Sequence, residues 1–506
     1  MDTALVLAGG RLVDDPCGAE SLSDILVENG RIAAVAPAGT IQAPAADRID
    51  LRGGIVIPGL CNAHAHSHEL FMKGTVWGIP LEPYIARISV DFPVDQLPEP
   101  EDIYTRTLAA CAEMLMGGIT GVADDVIHPK VSAEFIEAVL TAYEDSGLRA
   151  NVSVMLEDRP WADSIPHADE LVPPHLRERV DRVASQPDVD APVVEGLIRR
   201  WRQRSTRVRV MMSPSAPQRC TESYLRRQHA IARDNNVPFH IHIQETLAQA
   251  VSGPRMYGSS MIQYCDRLGI LDEFTTIAHA VWLSDDDLHV IANSGASVAH
   301  NPISNMKLGS GIARVRELLD ANVNVALGCD GYTCNDSQDM FEAMKAACLV
   351  SAIATPVPAK WLGPRDALQM ATGNGARANR WPHIGSLEPG AVADLVILDA
   401  AAPAFQPLND LPGQVVFCAR RSEVVTVLVE GRVVVANGVP TLFDVESVHR
   451  KLEGAAERFA VLSRPSRVAN QALIPYLQAG YEQELSHVSS LGVYRLVADG
   501  NPRDRV

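Results

Sequence analysis

Apolar and polar positions along the chain fall into three textures. Over residues 1–57, short apolar runs (TALVLAGGRLVDD, DILVENGRIAAVAP, RIDLRGGIVIPG) are punctuated by Gly, Asn-Gly and Pro-Gly. Asn29-Gly30, between ILVE and RIAAV, is the dipeptide of a tight hairpin turn. The same texture returns late, in VADLVILDA (392–400) and VVTVLVEGRVVVANG (424–438), with Glu430-Gly431 as a further turn. Either piece alone makes too small a sheet to stand by itself. Chain ends often lie close together, so the two pieces are expected to complete one β-sandwich.

Between Pro58 and His383 the pattern changes. GGIVIPGL, RANVSVML, TRVRVMMSP, VPFHIHIQE, FTTIAHAV, ASVAHNP and VNVALGCD read as strands buried on both faces. Amphipathic stretches separate them, among them PEDIYTRTLAACAEMLMGG, SYLRRQHAIARDNN and SGIARVRELLDAN. Pro and acidic residues over Pro98–Asp102 start a helix that Gly117-Gly118 stops. This alternation predicts a parallel α/β barrel or a doubly wound sheet. From Asp444 the pattern is helical, with breaks expected at Pro465 and before Pro475. The expected division is residues 1–57 with 384–443, residues 58–383, and a helical tail over 444–506.

The 506 residues are 47% hydrophobic and 21% charged, enough apolar material for a large core and too much for a disordered chain. Forty-four basic against 62 acidic residues leave a net charge of −18, which disfavours nucleic-acid and anionic-membrane partners. No run reaches the roughly 20 apolar residues of a membrane helix, and the N-terminus MDTALVLAGG lacks the pattern of a signal peptide. Nine cysteines, spread from Cys17 to Cys418 without a close CxxC pair, read as buried thiols of a reducing compartment. A cytoplasmic protein is expected, and a homodimer is compatible with the tail and the sandwich edges.

The chemistry sits where the expected strands end. His64 and His66 of Cys61-Asn62-Ala63-His64-Ala65-His66 are two apart, so they share one side of a strand and can offer two imidazoles to one ion. His68 is read as a loop residue outside the ligand set. In FHIHIQE, His242 is the outermost histidine and His240 lies one layer deeper, with Glu245 just beyond the strand. His279 ends TTIAH, and Asp330 closes the apolar run VNVALGC, where a carboxylate is costly unless paired or metal-bound. Three histidines and an aspartate suit Zn²⁺, or Fe²⁺, with an open position for water.

PGLCNAHAH (58–66), HIHIQE (240–245), AHAVWLSDDDL (278–288), VAHNPISNMKLGSG (298–311) and LGCDGYTCNDSQDM (327–340) resemble the amidohydrolase superfamily. The closer resemblance is to its aminohydrolase and triazine hydrolase branch, which holds cytosine and guanine deaminases and atrazine chlorohydrolase. IGSLEPGAVADLVILD (384–399) is similar to the return of these enzymes to their split β-sandwich, so the resemblance runs from about residue 5 to 440. It implies a (β/α)8 TIM-type barrel with a small composite sandwich. It also implies one metal ion on His64, His66, His242 and Asp330, with Glu245, His279 and Asp330 as the catalytic set and no bridging lysine.

The implied reaction is hydrolytic deamination of a nitrogen heterocycle that is nucleobase-, pterin- or triazine-like. A carboxylate at Glu245 favours deamination over dechlorination, because chloride leaves without a proton. Hydrolysis of a cyclic amide, displacement of chloride or alkylamine from a triazine-like ring, and a non-catalytic metal-binding barrel are the alternatives. Departures from the branch bear on substrate. Adenosine-directed relatives often read Pro-His-Ser-Pro where this chain has Pro214-Ser215-Ala216-Pro217, followed by Gln218 and Arg219. Cys334 stands where a serine is common. Trp77, Arg159, Gln218, Asn305 and Cys334 are the expected substrate contacts.

Overall fold

A computed structural model describes residues 4–13, 21–90, 92, 96–128, 130–181 and 187–485. Cys17 and the part of the tail over 486–506 lie outside the described residues. Eight strands run parallel around the centre: β1 (Leu60–His66), β2 (Ile119–Asp124), β3 (Arg149–Leu156), β4 (Val208–Pro214), β5 (Phe239–Ile243), β6 (Thr275–His279), β7 (Ser297–His300) and β8 (Asn324–Leu327). Each pairs with the next in sequence. The continuation of β8, Asp330–Gly331, pairs in parallel with Ala65 and His66 of β1, which returns the ring to its start. Helices cross between successive strands, for instance Pro100–Met116 from β1 to β2 and Glu222–Asp234 from β4 to β5. This β/α alternation, closed by the Asp330–Gly331 pairing, makes a barrel rather than an open sheet.

The barrel floor is polar and plugged. The short helix Gly373–Ala378 lies beneath it. Asn151 Nδ2 donates to the Asn379 carbonyl (2.9 Å) and Thr276 Oγ1 to the Ala378 carbonyl (3.0 Å). Ala63, Ala299 and Ala326 pack on Ala378, leaving no room for a channel. The strand mouths at the opposite end are the open face.

Residues from both ends of the chain form one mostly antiparallel assembly, in which Ala4–Leu12 pairs in parallel with Ile55–Pro58 and Asp47–Asp50. Its order is Val439–Pro440, Arg432–Ala436, Val424–Val429, Leu395–Leu398, Ile55–Pro58, Ala4–Leu12, Ser23–Glu28, Arg31–Pro37, with Asp47–Asp50 also on Ala4–Leu12. Leu7, Ile25, Val27, Ile32, Val56, Leu395, Ile397 and Leu428 share its core, so neither end completes a core without the other. Asn29 and Gly30 both take positive φ (51° and 76°), as the hairpin turn requires, and Glu430 and Gly431 do the same. Buried Arg149, at the start of β3, pairs with buried Asp394 of this assembly (Nε to Oδ2, 3.2 Å).

Three expectations are corrected. GGIVIPGL is not one barrel strand: Ile55–Pro58 belongs to the terminal assembly, and β1 begins at Leu60. Gly59 is the hinge, where any side chain would collide with Thr120. ITGVAD, unassigned in the sequence, is β2; its Thr and Gly dilute the apolar run. The tail does not break at Pro465, since one helix spans Val445–Gln471. Pro465 and Val461, whose carbonyl loses its helical donor, are both exposed residues on the solvent side of that helix. Ile474–Leu485 follows as expected. Among the described residues no helix is long and apolar enough to cross a membrane.

Arg149→Met leaves Asp394 buried without its cation. A loss of about 3–5 kcal/mol in unfolding free energy is expected for breaking such a pair. Urea titration should show that loss, and the double change Arg149→Met/Asp394→Leu should recover most of it.

Candidate metal centre and active site

The strand mouths bring together side chains that are up to 266 positions apart, from His64 to Asp330. His64 Nε2 and His66 Nε2 each lie 3.3 Å from Asp330 Oδ1. The rings of His64 and His242 are 4.8 Å apart and those of His66 and His242 5.5 Å. His64, His66 and His242 form one group able to hold an ion, and His64, His279 and Asp330 another, with ligand atoms in each within 4.8 Å. The two groups share His64 and therefore describe one centre. Register between β1 and β2 slips from Asn62 to Ala65. Such a bulge re-aims side chains, and here it falls on the HxH pair.

The outer nitrogen of each histidine is already committed. His66 Nδ1 donates to the Asp125 carbonyl (2.6 Å) and His242 Nδ1 to the Ser215 carbonyl (2.8 Å). A carbonyl only accepts, so both rings carry a proton on Nδ1 and turn Nε2 inward. His240 Nε2 lies 2.9 Å from His64 Nδ1, placing it as the partner behind His64. His64 Nε2 is buried without a hydrogen-bond partner. Fixing the far nitrogen in this way is the usual support for a metal-ligating imidazole.

Electrostatics ask for a cation at this point. Burial pulls His64 down to about 4 and holds His242 well below its ordinary value. Burial opposes ionisation of Asp330 too, yet His64, His279 and His66 together hold it well below the usual carboxylate range. Against its own burial, His66 is raised to about 9 by Asp330, Glu69 and Asp125. The anion thus sits beside two imidazoles that burial keeps neutral, His64 and His242, and beside His66, whose raised value marks a place where a metal ion could supply positive charge. The donor set fits a divalent ion.

Glu245 and His279 stand beside this centre. His279 Nε2 is 3.7 Å from Glu245 Oε2 and 3.8 Å from Asp330 Oδ2. Its Nδ1 is bracketed by Asn305 Oδ1 (3.0 Å) and Asn301 Nδ2 (3.3 Å). Burial pushes the Glu245 carboxyl up to about 7, with Asp330 adding to the rise and His279 opposing it. Gln244, His279, Ala280 and Asp330 all have positive φ (52°, 76°, 48° and 67°). Non-glycine residues rarely adopt this conformation, and its concentration at these strand ends marks backbone held for function.

Of the expected substrate contacts, Asn305 touches His279 and Cys334 Sγ lies behind Asp330, 3.2 Å from the Gly331 amide. Gln218 is buried on the turn after β4, its Oε1 without a partner. Arg159 is turned to Asp163 (3.0 Å), while Trp77 is 82% exposed. Several residues escaped the sequence reading. Asp125 supplies the carbonyl behind His66, and its own carboxylate, pushed up to about 6 by burial, faces His242 Nδ1 at 3.9 Å. Asn62 accepts from the Cys329 amide (3.0 Å), and Gln338 Nε2 donates to the Asp330 carbonyl (2.7 Å). Paired acids ending the run ITGVADD were a signal of the same kind as Asp330.

The sequence model of the amidohydrolase family matches residues 55–434. The chain is 32% identical over 447 residues to the 5'-deoxyadenosine deaminase of Methanosarcina mazei, covering 88% of this chain and 95% of that protein. It is 35% identical over 416 residues to the 5-methylthioadenosine/S-adenosylhomocysteine deaminase of Acetivibrio thermocellus, covering 82% and 89%. Among solved structures, an adenosine deaminase from Xanthomonas campestris with bound zinc superposes with a TM-score of 0.77 at 26% identity, covering 91% of this chain and 99% of that one.

Elemental analysis checks the ligand set. His242→Asn and Asp330→Asn are expected to abolish or greatly reduce the bound metal of the purified protein, whereas Glu245→Gln is expected to retain it. Full metal content in His242→Asn would remove that histidine from the set.

Proposed function

The chain belongs to the amidohydrolase family and is a hydrolase of carbon–nitrogen bonds; we propose that Glu245, His279 and Asp330 carry out its hydrolytic deamination of a nitrogen heterocycle, at a divalent ion held by His64, His66, His242 and Asp330. Zinc, the ion of the Xanthomonas campestris enzyme, is the cofactor we assign. When bound, such an ion supplies Lewis acidity and makes water nucleophilic near neutral pH.

The rest of the chemistry belongs to the side chains. Asp330 Oδ1 faces His64 and His66, while Oδ2 faces His279 and is free to accept the proton of the attacking water. His279 Nε2 faces carboxylate oxygens of both Glu245 (3.7 Å) and Asp330 (3.8 Å), which places it to donate a hydrogen bond when it carries a proton. It donates that proton as a hydrogen bond to charge developing on the substrate. Asn305 and Asn301 hold the ring from behind. Glu245 ionises near neutrality, so it can hold a proton at one moment and release it at the next. It protonates the ring nitrogen as the attacked carbon becomes tetrahedral, and then assists departure of ammonia.

The single observation that carries this reading is the buried Glu245 carboxyl within 3.7 Å of His279 at the edge of the ligand cluster. A metal-binding barrel without catalysis has no use for a proton carrier there, and displacement of chloride does not need one.

5'-Modified adenosines are the substrates we put first, because the two relatives similar over most of the chain carry deaminase names of that kind. Ser215, where adenosine-directed relatives often have histidine, is the position at which this preference is most exposed. A cytoplasmic location is our further reading, supported by eight described cysteines that are all free.

An ammonia-coupled assay over 5'-deoxyadenosine, methylthioadenosine, S-adenosylhomocysteine, free purines, pterins and triazines tests the reading. Ammonia release is expected from at least one of them, and Glu245→Gln should lower its rate by about 10²–10⁴ with metal content unchanged. A Glu245→Gln protein as active as the parent would remove the proton-carrier role.

A further inference from the structure

We propose that Glu69 is a positioning residue for Asp330, acting through the loop that leaves β8; this rests on the reading of Asp330 as metal ligand and proton acceptor. Glu69 lies in the turn Ser67–Met72, directly after His66, and is only 2% exposed. Its Oε2 accepts the Thr333 amide (3.0 Å) and the Thr333 hydroxyl (2.6 Å). Its Oε1 accepts the Tyr84 hydroxyl at 3.2 Å, and Tyr84 Oη is itself 2.5 Å from Thr333 Oγ1.

Burying a carboxylate against neutral donors is costly unless those bonds are well made. These bonds join two segments, which Asp336 Oδ1 also bridges by accepting the Gly74 amide (3.0 Å). One follows the HxH pair, and the other begins three residues after Asp330. Between them lies Gly331, where any side chain would collide with Glu69 Oε2, so the carboxylate rests against the backbone next to Asp330. The Gly331 amide in turn donates to Asp330 Oδ1 (2.8 Å). Asp330 holds a positive φ of 67°, a conformation that persists only where neighbours over-determine it. Glu69 supplies that constraint from the β1 side, as Gln338 does through the Asp330 carbonyl.

Both oxygens of Glu69 are consumed by protein donors, which leaves them no part in touching substrate. The role is therefore to hold the loop, and its loss should be felt in the hold on metal and in turnover rather than in substrate affinity.

Two arms test this on the full-length protein. In the first, hydrogen exchange is followed over residues 331–335 after metal removal. Glu69→Ala is expected to speed exchange there by about tenfold while the other strands keep their protection. In the second, zinc-loaded Thr333→Val is challenged with a chelator. It is expected to lose zinc about tenfold faster than the parent, with kcat lowered and KM held, and Thr333→Ser is expected to restore all three. The proposal is overturned if Glu69→Ala and Thr333→Val match the parent in loop exchange, zinc release and kcat. It is equally overturned if exchange rises evenly through the barrel while zinc release is unchanged, since that is general destabilisation. A parent that releases no ammonia from any heterocycle defeats the deaminase reading alone, because the exchange arm still judges Glu69.

Discussion

One buried anion organises the centre of this protein. Asp330 lies at the mouth of a barrel whose wall is apolar, and water cannot compensate its charge there. Its partners are imidazoles, of which burial keeps His64 and His242 neutral, so they give only partial compensation. The cluster therefore favours positive charge at this point, as the upward push of Asp330, Glu69 and Asp125 on His66 indicates. A divalent ion satisfies that preference more completely, because each inward-facing Nε2 can donate a lone pair to it. Burial, tautomer choice and the positive φ at Asp330 all follow from arranging this one charge.

The architecture supplies the arrangement. A closed parallel sheet places the C-terminal ends of all eight strands in one ring, so β1, β5, β6 and the end of β8 deliver side chains to a common point. Closure itself passes through the site, since Asp330–Gly331 is the segment that pairs with β1. A shift in that pairing moves Asp330, the ligand we propose, and opens the barrel together. The floor is secured separately, by the plug Gly373–Ala378 and by Arg149 reaching Asp394 in the terminal assembly. Stability and chemistry are thus built at opposite ends, and the mouth is free to carry strained backbone.

Much of this was legible in the sequence, for identifiable reasons. A spacing of two on a strand puts His64 and His66 on one side, and an acid after an apolar run announces Asp330. Asn29-Gly30 and Glu430-Gly431 announce turns because positive φ is chemically selective. What escaped depended on three-dimensional context. Gly59 hinges one apolar run into two sheets because Thr120 lies against it. Pro465 is tolerated on the solvent side of its helix, where Val461 is exposed too. Glu69 and Thr333 are 264 positions apart, and neither residue type signals the other. Asp125 does its work through its backbone carbonyl, which no side-chain pattern encodes.

That last point bears on how the site keeps its metal centre while its surroundings differ. His66 and His242 are oriented by the carbonyls of Asp125 and Ser215, not by their side chains. A carbonyl is present whatever residue occupies the position, so the tautomers of both rings are independent of the identities of residues 125 and 215. The side chain at 215 can therefore depart from histidine without disturbing the ligand it supports. The adjoining turn carries buried Gln218, while Arg219 Nη1 donates to Ser215 Oγ at 2.9 Å. Residue 215 thus serves two neighbours separately, His242 through its carbonyl and Arg219 through its side chain. This division allows the side chains of the loop to vary while the carbonyl that orients His242 stays in place.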